Sequence, residues 1–115
     1  MTFDIEKFRN DLHALKETAA QVQKDFSSCG LDIPVAGNEA LPYEELLSRV
    51  KLQVEKSLQM PERVFQNLLY RVDIPEKNYA RLKKASPDFV HDISRLILER
   101  EFMKVITRKY YDPGR

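Results

Sequence analysis

Cysteine occurs once in this sequence, glycine three times and tryptophan not at all. No stretch of about 18 apolar residues runs uninterrupted, which excludes a membrane-spanning helix. The single thiol, Cys29, excludes an internal disulfide and fits a reducing, cytoplasmic setting. Three glycines are too few for a turn-dense sandwich or barrel, and neither GxGxxG nor GxxxxGK[ST] occurs. The start, MTFDIEKFRND, carries charges where a secretory leader needs its apolar stretch. An excess of one charge is also missing: 19 Lys and Arg offset 18 Asp and Glu, for a pI near 7.8. A domain devoted to nucleic acid reads far more basic.

What remains is a chain of 115 residues, 43% hydrophobic and 32% charged, enough for one modest core. No repeat, low-complexity tract or long linker divides it, so a single helical domain over 1–115 is expected. Its charge is uneven. Residues 1–58 hold seven cations against ten anions, and residues 59–115 hold twelve against eight. Attraction between the halves is the simple consequence, and two opposite patches for partners the sharper one.

Helical periodicity dominates. Ile5, Phe8, Leu12, Leu15, Ala19, Val22 and Phe26 alternate spacings of three and four, a heptad seam on a helix over about 3–28. Gly30 follows as its left-handed cap. Such a seam serves an antiparallel bundle or a short coiled coil, in which Asp11 of one copy would meet Lys16 of another. The loop from Ser28 to Leu41 carries Leu31, Ile33, Val35 and Leu41, which reads as a lid over the core. A second helix begins at Pro42, with Tyr43, Leu46, Leu47, Val50, Val54 and Leu58 on one face and Leu52 outside it. Pro61 restarts the helix, whose stripe is Val64, Phe65, Leu68, Leu69 and Val72. Asp73 to Glu76 resembles a capping box before a short helix bearing Tyr79 and Leu82. Ser86, Pro87 and Asp88 start the last helix, with Ser86 as the expected cap. No segment alternates as a strand would. The fold class is all-α: a compact bundle of four to five helices with long first and last members.

The last helix changes face midway. Phe89, Val90, Ile93, Leu96 and Ile97 fill one arc, while Leu98, Phe102, Val105 and Ile106 fill nearly the opposite one. Arg100, Lys104 and Arg108 continue the first arc as a cationic stripe. The helix therefore either crosses between two layers of its own domain or packs its second half on another molecule.

Candidate chemistry is sparse. Cys29 sits at a helix C-terminus, where the dipole disfavours a thiolate. His13 falls on a polar face. Asp88, His91 and Asp92 share a face at metal-ligand spacing, but no matching carboxylates occur on the other helices. Arg108, Lys109, Tyr110, Tyr111 and Arg115 interleave cations with tyrosines, as a phosphate-gripping tail would. No base, nucleophile and orienting group occur together, so no cofactor, metal or enzymatic role is expected. The leading reading is a non-catalytic protein–protein interaction or oligomerisation module, cytoplasmic and not membrane-bound, with a homo-oligomer open. Its contact residues would be Leu98, Phe102, Val105 and Ile106, joined by Arg100, Lys104 and Arg108. A nucleic-acid binder using the stripe is the alternative. A metal-dependent enzyme at Asp88, His91 and Asp92 comes third.

Overall fold

Five helices run through the computed structural model, which describes residues 10–33 and 41–110 apart from the Tyr110 side chain. They are α1 (Leu12–Ser27), α2 (Tyr43–Leu58), α3 (Glu62–Val72), α4 (Glu76–Ala85) and α5 (Phe89–Tyr110). The fold is a compact all-α bundle, with one core to which every helix contributes buried or half-buried apolar side chains.

α1 starts later than its seam suggests. Asp11 is extended, and its carboxylate accepts the amides of His13 and Ala14 at 2.9 and 3.1 Å. That is an N-cap, and it is the use the structure makes of a carboxylate otherwise suited to Lys16 of a second copy. Leu12, the first helical residue, is consequently 69% exposed, whereas Leu15, Ala19, Val22 and Phe26 are buried. Ile5, Phe8 and Val35 lie outside the described residues, as do Tyr111 and Arg115. Leu31, Ile33 and Leu41 do cover the core as expected.

The same device closes α1 and α3. Gly30 adopts a φ of 80°, and the Leu31 amide donates to the Phe26 carbonyl at 2.9 Å. Asp73 adopts a φ of 72°, and the Ile74 amide donates to the Leu69 carbonyl at 2.9 Å. In both, the residue after the left-handed one is a buried aliphatic that seals the helix end. The capping-box reading of Asp73 is thereby corrected. A residue committed to the left-handed region at the end of α3 cannot also cap α4, which starts after Pro75 with no side-chain cap. Pro42 and Pro61 stand likewise just before α2 and α3. Leu58, assigned to the buried face of α2, is 41% exposed because the helix ends there.

α5 packs against all four other helices. Its early side chain Phe89 meets Phe65 of α3 and Tyr79 of α4, with ring centroids 6.3 and 5.7 Å away. Its late side chain Phe102 meets Tyr43 of α2 edge-on, 6.1 Å away. The change of face thus has a cause: one helix serves as the core strut for two sets of neighbours.

Candidate functional site

Leu98, Phe102, Val105 and Ile106 have no solvent exposure at all. The two placements left open for the late apolar face resolve to packing within the chain, and none of the four offers surface to a partner. α1 and α2 both pack on α5, and Tyr43 of α2 lies against Phe102.

The cationic stripe lies on the surface but is committed. Arg100 donates to the Asp73 carboxylate at 2.9 Å, fastening α5 to the end of α3. Lys104 donates to Asp25 Oδ2 at 3.2 Å and to the Arg71 carbonyl at 3.0 Å. Arg108 donates to Gln21 Oε1, and the neighbouring Lys109 to Glu17, both at 3.2 Å. The stripe is a seam joining α5 to α1 and α3. Phosphates would have to compete with these bonds.

Asp88, His91 and Asp92 also have local work. Asp88 accepts the His91 amide at 3.2 Å and is the cap of α5, a role expected of Ser86. The Ser86 hydroxyl instead accepts the Asp88 amide at 3.2 Å and donates to Asp92 Oδ2 at 2.6 Å. Among the described residues, no three His, Cys, Asp or Glu side chains gather as a metal ion requires. No described helix is long and apolar enough to cross a membrane.

The uncommitted surface lies elsewhere, on α4 and the corner between α2 and α3. α4 has no buried residue and rests on the core only through half-buried Tyr79 and Leu82. Lys77, Arg81 and Lys84, at i, i+4 and i+7, share its outward side and form no bond within the described residues. On the side of α4 that carries Tyr79 and Lys83 is a groove of about 170 Å³, floored by Phe65 and Tyr79 and edged by Leu58, Met60, Glu62 and Lys83. Leu58 and Met60 are 41% and 40% exposed. Lys83 donates to the Tyr79 hydroxyl at 3.1 Å, a bond that raises its pKa and keeps it charged. A second groove, of about 260 Å³, runs between α4 and α5 with Arg81 and Arg95 in its lining. Each groove also holds one acid, Glu62 in the first and Asp92 in the second, so the excess of cations comes from Arg95 and the outward side of α4, an arrangement that suits an anionic partner with an apolar face.

A buried acid pair completes the inventory of titratable groups. Glu101 of α5 is fully buried, and Asp25 of α1 nearly so. Burial pushes the Glu101 carboxyl up to about 8, helped by its contact with the charged Asp25 and opposed by Lys104. Burial alone would raise Asp25 as well, but hydrogen bonds with Glu101 and Gln21 and the charge of Lys104 hold it below the usual range. Sequence reading missed Glu101, although it stands four residues from both Ile97 and Val105, in line with the core.

No family model matches the chain, and neither a curated protein nor a solved structure matches it.

Proposed function

We propose that this chain is a non-catalytic helical module, cytoplasmic, that binds an acidic amphipathic segment of a partner protein through α4 and the corner between α2 and α3. The observation that carries this reading is the juxtaposition at that corner. Exposed Leu58 and Met60 stand beside an aromatic-floored groove edged by Lys83 and Glu62, and the outward side of α4 carries the unbonded cations Lys77, Arg81 and Lys84. An apolar anchor in the groove would supply affinity, and acids opposite Lys77, Arg81 and Lys84 would supply orientation and encounter rate. A protein partner is favoured over nucleic acid because apolar side chains, rather than exposed stacking rings, edge the groove. The non-catalytic part of the reading is supported by where the acid pair lies. Asp25 and Glu101 are walled inside the core, out of a substrate's reach.

A fluorescent synthetic helix with leucines on one side and glutamates on the other provides the test. Binding should weaken with added salt, fail for a shuffled peptide, and be lost in the triple Lys77→Glu, Arg81→Glu, Lys84→Glu variant and in Met60→Ser. Absence of binding at low salt overturns the reading. So does preferential binding of single-stranded RNA, or a concentration-dependent dimer that these substitutions abolish.

A further inference from the structure

α4 is fastened to the bundle unlike its neighbours. α3, 11 residues long, buries Phe65, Leu68, Leu69 and Val72, whereas α4, 10 residues long, buries nothing. Helix length is therefore not the cause of the difference. Two half-buried apolar side chains, Tyr79 and Leu82, hold α4 on the core. The Tyr79 ring lies 5.5 Å from Phe65 of α3 and 5.7 Å from Phe89 of α5, and those two rings stand 6.3 Å apart. Its hydroxyl is used within the helix, by Lys83. Among the described residues, no hydrogen bond or ion pair runs from an α4 side chain to another helix, and Glu62 of α3 attracts Lys83 only through space. Grooves flank the helix on both sides, one against α2 and α3 and the other against α5.

The chain to either side is secured without α4. Before it, Ile74 is buried, and its amide donates to the Leu69 carbonyl at 2.9 Å, within the end of α3. After it, the Ser86 hydroxyl donates to Asp92 of α5 at 2.6 Å. Pro75 and Pro87 stand at the two borders, where neither has an amide hydrogen to carry a helix across, and α4 starts with no side-chain cap. A segment with few buried contacts and solvent-exposed backbone bonds opens at lower free energy than the body that carries it. We propose that α4 is a strap: it undocks as a unit between Ile74 and Ser86 while α1, α2, α3 and α5 stay folded, and it uncovers the rings of Phe65 and Phe89.

The strap also regulates the groove at the corner, a consequence that rests on the docking reading above. That groove is built partly from Tyr79 and Lys83 of α4 and partly from Leu58, Met60 and Phe65. It exists only while α4 is docked. A segment seated in it binds the docked state alone and so holds the strap closed.

Amide hydrogen exchange of the intact chain, followed by NMR, tests the strap without any partner. Protection of Ala80 to Ser86 should be at least about a hundredfold lower than that of Leu68 to Val72 and of Ile93 to Ile97. Dilute denaturant should hardly change exchange in α4, because local opening exposes little surface, while it speeds exchange in the other two sets. Tyr79→Ala should leave α4 unprotected and Ile93 to Ile97 still protected. If α4 exchanges at the same protection and denaturant slope as α5, or if Tyr79→Ala unfolds the chain, the strap is overturned. With the leucine–glutamate helix at ten times its dissociation constant, exchange from Ala80 to Ser86 should slow about tenfold. Binding without that slowing overturns the regulation. Failure to bind removes the docking reading, and exchange in the free chain still decides the strap.

Discussion

The rings of Tyr43 and Phe102 meet edge to face at 84° and 6.1 Å, with both residues buried, so the second half of α5 is locked onto the first turn of α2. Edge-to-face pairs of this kind contribute beyond the area they bury. The contact also explains why α5, alone among the five helices, shows no single apolar side. Its early Phe89 packs on Phe65 of α3 and Tyr79 of α4, and its late Phe102 packs on Tyr43 of α2.

Phe102→Ala should therefore unfold the chain rather than dissociate it. Removing a fully buried phenylalanine costs about 3–5 kcal/mol, a large share of a small domain's stability. Denaturant titration should show the unfolding free energy falling by that amount, with the midpoint moving down in proportion, and the folded fraction should not depend on protein concentration.

The two left-handed helix ends should respond differently to substitution. Gly30→Ala meets no neighbouring atom within 4 Å, so its cost is the backbone strain alone, about 1 kcal/mol. Asp73→Gly relieves the same strain but loses the bond from Arg100, which is largely exposed and worth under about 1 kcal/mol. The two changes should leave it within about 1 kcal/mol of the native stability. Thermal melts of the two variants measure both.

At the start of α5 the structure separates capping from metal binding. Asp88→Ala should cost about 1 kcal/mol through loss of the cap, whether or not metal is present. Added zinc or manganese should leave the melting temperature of the native chain unchanged, and His91→Ala should behave like it. A metal-dependent rise that His91→Ala removes would restore the metal reading, because a ligand that binds only the folded state must stabilise it.

How much of this could be read from residue order depends on the range of the interaction. Proline and glycine punctuation placed the helix boundaries within a few residues, because those effects act on the local backbone. The lid residues Leu31, Ile33 and Leu41 were legible too, since a solvated loop has no use for them. The capping errors share a cause. Asp73 and Ser86 are both good cap residues, and only the neighbouring turn decides which helix end each one serves. The destination of the cationic stripe was invisible because its partners Asp25, Gln21 and Asp73 lie 27 to 87 positions away in the chain. The basic side of α4 needed no distant contact. Lys77, Arg81 and Lys84 repeat at helical spacing, so the order of residues alone puts them on one side of α4.

Where a partner sits on this molecule is best decided by titrating the leucine–glutamate helix into isotope-labelled protein and mapping the amide shifts. The account predicts changes gathered on Leu58, Met60, Tyr79, Arg81 and Lys84, with the amides of Leu98 to Ile106 undisturbed. Shifts centred on the second half of α5, or spread evenly over the surface, would contradict it.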